Sequence, residues 1–160
     1  MAALTNSRNT PEMGDGGRFR VYPVEANTNI YLGGMVALDA AGNAVPASAT
    51  TTTANALKII GRAERVQDGT VGENAINNPG AAGALSIVIR KGVFLYGQDS
   101  SIGAAQVGAQ CFALDDNNVT AADRASGASV QQYAVAGQVV AIDSTGQVWV
   151  DFWHQANVAS

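Results

Sequence analysis

From residue 18 onward the apolar positions come in short runs of Val, Ile, Phe and Tyr closed off by Gly, Asn and Asp, and no apolar stripe at helical spacing appears. Runs of this length and punctuation predict strands, because strand side chains alternate between two faces while Gly, Asn and Asp suit the turns between strands. The runs fall at 19–24, 35–38, 57–66, 85–96, 110–114, 133–142 and 147–153. Within 85–96, Leu85, Ile87 and Ile89 alternate with Ser86, Val88 and Arg90, and Gly92 predicts a bulge or bend before Val93. The expected fold class is therefore all-β, an antiparallel β-sandwich or barrel-like module with long loops. Residues 1–17 are polar and glycine-rich without apolar periodicity, and they read as an extended N-terminal arm on a β-rich domain spanning 18–160. Two irregular stretches, 46–56 and 67–84, predict long loops that either reach a neighbour or simply cover surface.

One turn signature occurs three times: Ala37-Leu38-Asp39-Ala40-Ala41-Gly42, Ala113-Leu114-Asp115-Asp116-Asn117-Asn118 and Ala141-Ile142-Asp143-Ser144-Thr145-Gly146. An Asp that opens a turn accepts bonds from the amides ahead of it. A Gly or Asn three residues later tolerates the left-handed conformation that a type I turn with a bulge requires. Each copy is expected to reverse one strand into the next. Ala37 and Ala113 are 76 residues apart, as are Gly61 and Gly137, a repeat compatible with two related β half-domains and equally with coincidence between similar hairpins.

In the last run Val148, Val150 and Phe152 fall on one face, and Trp149, Asp151 and Trp153 on the other. One face is core. Two tryptophans beside a carboxylate are more than a solvated face should expose, so Trp149, Asp151 and Trp153 are candidate interface residues, the alternative being burial within the same sandwich. Arg8 and Arg18, the cations of the arm region, complete the candidate subunit or capsid interface.

Composition changes the picture in one respect. Only 14% of residues are charged, where soluble domains carry about a quarter, and the surface must be built from small neutral residues that lose little when a partner covers them. Net charge is −4 and no basic cluster with interleaved aromatics occurs, which disfavours nucleic-acid partners. No stretch has the length of a membrane span, and residues 1–10 lack a basic segment followed by an apolar run, so no secretory signal is expected.

Candidate chemistry is sparse. His154 is the single histidine, so a two-histidine metal site cannot be built within one chain, and no Gly-x-Ser-x-Gly motif precedes it to form a triad. No phosphate-binding loop is present. The cluster Asp115, Asp116, Asn117 and Asn118 lacks the alternate spacing and distal glutamate of a calcium loop and reads as a turn. Asn118-Val119-Thr120 matches a glycosylation acceptor, which carries no weight without secretion. Cys111, alone in an apolar run, reads as buried packing. Glu25, Glu64 and Glu73 could in principle supply paired carboxylates for glycan hydrolysis, but nothing selects a pair. The chain is expected not to be an enzyme, and to need no cofactor and no metal.

The run Gly33-Gly34-Met35-Val36-Ala37-Leu38-Asp39-Ala40-Ala41-Gly42-Asn43-Ala44-Val45-Pro46-Ala47, followed by Ile60-Gly61-Arg62-Ala63-Glu64, resembles a family of small tailed-phage capsid decoration (cement) proteins. The likeness continues through Arg90-Lys91-Gly92-Val93-Phe94, Val107 to Asp116 and Ala136 to Asp143. Its motifs are strand and turn signatures rather than catalytic residues. The resemblance implies a virion protein on the capsid exterior, made in the bacterial host cytoplasm. Its partners would be the major capsid protein and copies of itself, as a homotrimer or, second, a dimer, and the arm would order on binding. The alternative is a phage fibre, spike or carbohydrate-binding surface module.

Overall fold

The computed structural model describes residues 3–6, 8–10, 12–13, 19–49, 57–66, 75–124, 126–128 and 133–153. It is all-β. Among the described residues thirteen strands follow in order: β1 (Glu12–Met13), β2 (Phe19–Pro23), β3 (Thr28–Tyr31), β4 (Met35–Leu38), β5 (Ala44–Pro46), β6 (Lys58–Val66), β7 (Ala75–Asn78), β8 (Ser86–Arg90), β9 (Val93–Gln98), β10 (Gln110–Ala113), β11 (Asn118–Thr120), β12 (Val135–Ile142) and β13 (Val148–Asp151). A single 3-10 turn, Ala104–Gln106, interrupts them among the described residues.

Among the described residues ten of these strands form two five-stranded arrays of matching design, while β3 pairs with β7 as a separate two-stranded sheet and β1 adds to β9 of the second array. The first runs β2-β8-β6-β4-β5, all antiparallel, and a parallel bridge from Val24 to Ala44 brings its two ends together. The second runs β9-β13-β12-β10-β11 with the same antiparallel steps, and β11 returns parallel to β9, closing a five-stranded barrel. Both carry a bulge at the same place: Val36 pairs with Gly61 and Ala37 with Ile59, while Cys111 pairs with Gly137 and Phe112 with Val135. The correspondence extends to atomic packing. A β-carbon at Gly61 would overlap the carbonyl oxygen of Arg90 on β8, and one at Gly137 would overlap that of Asp151 on β13, the matching strand. The 76-residue spacing of Gly61 and Gly137 is thus structural, but the bulge equates Val36 with Cys111, one residue closer than the spacing of Ala37 and Ala113.

All three turn signatures reverse a strand, β4 into β5, β10 into β11 and β12 into β13. In the first, Asp39 Oδ1 accepts the amides of Ala41 (2.8 Å) and Asn43 (2.9 Å); in the third, Asp143 Oδ1 accepts those of Thr145 (2.8 Å) and Gln147 (2.9 Å). Gly42 and Gly146 take the expected left-handed conformation, with φ of 87° and 84°. The middle copy departs from the expectation: Asn118 is not left-handed. Its side chain is buried and donates to the Asp115 carboxylate, and the Asp116 carbonyl is held by the amide of Met35 at 2.7 Å, so packing against the first sheet replaces the free turn.

Two apolar clusters fill the molecule. One joins Phe94, Tyr96, Cys111, Val119, Val148, Val150 and Phe152 of the barrel to Met35, Ala37 and Ile59 of the first sheet. The other holds Val24, Ile30, Val36, Ile60, Ile76, Ile87 and Ile89. Neighbours on β4 and β6 therefore alternate between clusters, Met35 and Ala37 against Val36, Ile59 against Ile60. Both strands are buried on both faces and serve as a wall common to the two halves.

The N-terminal segment does not project as a free arm over its described residues. It crosses both halves as a strap. The amide of Leu4 donates to Asp116 Oδ1 (2.9 Å), the amide of Arg8 to the Leu32 carbonyl (3.0 Å) and Thr10 Oγ1 to the Gly33 carbonyl (2.8 Å), before β1 pairs with β9. Polar and glycine-rich composition suggested looseness, but this strap is held by hydrogen bonds, which need no apolar periodicity. The linking residues 14–18 lie outside the described set.

Candidate protein–protein interface

The four described candidate residues, Arg8, Trp149, Asp151 and Trp153, do not form one surface. Arg8 turns inward: its Nη2 donates to the Leu95 carbonyl (2.9 Å), its Nη1 to Asn117 Oδ1, and its guanidinium carbon lies 5.4 Å from the centre of the Tyr96 ring. Desolvation by burial pulls the Arg8 pKa below its ordinary value, opposed by charge interaction with Tyr96 and Asp116. Arg62 on β6 makes a matching clasp, stacking 4.3 Å over Phe94 while it donates to the Thr10 carbonyl and pairs with Glu64. Two arginines thus join the strap and β6 to neighbouring aromatics of β9, each cation over a ring face that attracts it. Arg18 lies outside the described residues.

On β13, Val148, Val150 and Phe152 are fully buried, as the alternation predicts. Asp151 is not on an open face: it is 8% exposed, and its Oδ1 accepts the amide of Trp153 at 2.7 Å. The strand ends at Asp151, so the chain turns and its carboxylate caps that turn. Trp149 is half-buried beside Leu95 and Ala141. Trp153 alone of the described candidates is exposed, at 40%.

Trp153 leads to a surface missing from the expected set. With Arg20 and Tyr22 of β2 and Lys91 of the β8–β9 turn it lines a shallow cleft of about 170 Å³. On the opposite face of β2, Phe19 and Val21 are 56% and 47% exposed. The Arg90 guanidinium lies 5.3 Å from the centre of the Phe19 ring and steadies it against the sheet. Of the five large apolar side chains that are exposed among the described residues, two lie on β2 and a third, Trp153, in the cleft that β2 lines; the other two are Val107 and Val140. Pro23 was the available signal in the sequence, because a proline within a strand marks a sheet edge, and β2 is an edge.

Two further titratable groups, Cys111 and Tyr96, are buried in the core. Burial pushes the Cys111 thiol up to about 12 and its Sγ rests 3.6 Å from the Gly137 carbonyl. Burial likewise raises Tyr96, whose hydroxyl donates to the Gly33 carbonyl at 3.3 Å. Among the described residues no group of three His, Cys, Asp or Glu side chains could hold a metal ion. Among the described residues no helix is long and apolar enough to cross a membrane. Comparison with family models, curated proteins and solved structures gave no match for this chain.

Proposed function

We propose that this chain is a non-enzymatic decoration protein of a tailed-phage capsid, bound to the outer surface of the major capsid protein shell and bridging capsomers. The observation that carries the reading is the pair of exposed apolar side chains on the edge strand β2, Phe19 and Val21, with exposed Trp153 in the cleft on that strand's other face. Monomeric proteins scatter such residues singly, and grouped ones mark a surface that a partner covers. The resemblance in the turn and strand signatures supplies the capsid, and the sparse charge suits a surface that is to be covered. A homotrimer seated on a three-fold position would engage several capsid subunits at once and gain affinity by multivalency; a dimer across capsomers is the second arrangement.

A carbohydrate-binding surface module is the second reading, favoured by Tyr22 and Trp153 lining one cleft. Counting copies of this polypeptide in purified particles separates the two. Copy numbers close to that of the major capsid protein, with heads that lose heat resistance when the chain is removed, support decoration. A few copies per particle overturn it in favour of a fibre or spike component.

A further inference from the structure

Among the described residues the first sheet ends on β2, and β2 is paired along one side only. Its partner there is β8, with Phe19 opposite Arg90 and Pro23 opposite Ser86. The amide of Val24 donates toward β8, to the Leu85 carbonyl at 2.9 Å, whereas that of Glu25 donates the other way, to the Ala44 carbonyl at 3.1 Å. Backbone groups of a strand alternate in direction, so the amides of Phe19 and Val21 share the direction of Glu25 and aim out of the sheet. Pro23, the next residue in that series, has no amide to offer. Among the described residues no strand takes up this edge between Phe19 and Pro23. An unpaired edge is a template for an added strand.

The chemistry beside the edge selects what can be added. The Arg20 guanidinium bends onto the edge itself, its Nη1 donating to the outward carbonyl of Phe19 at 3.1 Å. Lys91, Tyr22 and Trp153 complete the cleft, and no carboxylate among the described residues lines it. Asp151, the nearest acid along β13, is buried and engaged by Trp153. A second copy of β2 laid antiparallel would bring two such Arg20 and Lys91 groups together, and like charges close across a pair of strands repel. A strand bearing carboxylates would instead find two cations beside the amides it pairs with.

We infer that the free edge of β2 and its cleft take up an extended, acidic segment of another protein. This deepens the docking reading above and rests on it for biological setting, although the geometry is that of β2 alone. Phe19 and Val21 supply the apolar contact, their amides the backbone bonds, and Arg20 with Lys91 the selection for acid.

The test is titration of the full chain, followed by amide NMR and Trp fluorescence, with a capped hexapeptide alternating valine and glutamate and with its lysine counterpart. Saturable shifts at the Phe19 and Val21 amides, a fluorescence change at Trp153, and at least about a tenfold preference for the acidic peptide are expected. Arg20→Glu with Lys91→Glu should reverse the preference. Val21→Pro removes one outward amide without touching the β8 ladder and should abolish binding. Charge-blind binding, shifts elsewhere, or no saturation at millimolar peptide overturns the inference. So do concentration-dependent shifts of the same amides without peptide, which would assign the edge to a second copy. Capsid-level copy number in particles with no acidic selectivity sinks this inference and leaves decoration standing; acidic selectivity with few copies does the reverse.

Discussion

The carbonyl oxygen of Arg8 fills the space that a β-carbon at position 33 would need, so the strap and the β3–β4 turn fit together only because residue 33 is glycine. Gly33 also takes φ of 83°, a conformation that disfavours any side chain. One position thus controls whether the N-terminus can lie across both halves.

Gly33→Ala should cost about 2 to 3 kcal/mol in chemical denaturation, combining overlap with Arg8 and backbone strain. In a chain lacking residues 1–13 the cost should shrink to the backbone part, about 1 kcal/mol. An equal cost in both chains would show that the strap does not press on Gly33.

The bulge glycines should behave as a pair. Gly61→Ala and Gly137→Ala each place a methyl group against the backbone of the next strand, and each should lose about 2 kcal/mol or more. Gly61 should be the worse of the two, since its φ of 143° adds strain that Gly137 does not carry. Denaturant midpoints of the two variants give the comparison directly.

Asp116 makes the pH response asymmetric. Burial raises its pKa, the amide of Leu4 lowers it and Asp115 raises it again, with a net shift upward. A carboxyl whose folded value exceeds its unfolded value stabilises the fold below the unfolded value, about 4, and that contribution disappears as pH rises through the folded value. Asp116→Asn, which keeps an oxygen for Leu4, should therefore match or exceed the parent stability at pH 7 and lose this advantage on acidification toward pH 4. Asp143 acts in the opposite sense. The Thr145 hydroxyl, followed against slight desolvation by the turn amides, holds it below the usual carboxylate range, so its contribution is present at neutral pH and fades as pH falls through that lowered value. Urea titrations of the parent, of Asp116→Asn and of Asp143→Asn across pH 3 to 8 check the two slopes.

Cys111 should be inert in the folded chain. With its thiol pushed up to about 12, only about one molecule in ten thousand carries the thiolate at pH 8. Labelling by a thiol reagent should follow global unfolding and accelerate in step with added urea. Fast labelling without denaturant would mean that the barrel opens locally at β10.

The long strands were legible because burial alternates along them: Ile87 and Ile89 on β8, Val148 and Val150 on β13, are core residues at a spacing of two. β3 and β7 were not legible, since Thr28–Tyr31 and Ala75–Asn78 pair across a long stretch of sequence and each contributes one isoleucine, Ile30 or Ile76, to the core. The interface residues were read least well. A tryptophan and a carboxylate on one strand face look alike in sequence whether the strand continues or stops, and β13 stops at Asp151. The roles of Arg8 and Thr10 depend on carbonyls supplied by β9 and by the β3–β4 turn, both remote in sequence, which no local pattern encodes.

The wall of β4 and β6 has a mechanical consequence. Two barrels joined by a linker would hinge, but here the same hydrogen-bonded rungs belong to both, from Met35 opposite Arg62 to Leu38 opposite Lys58. A pull applied to one half is shared among these rungs in parallel before it reaches the other. The chain should transmit load as a stiff strut and yield all at once rather than stretch.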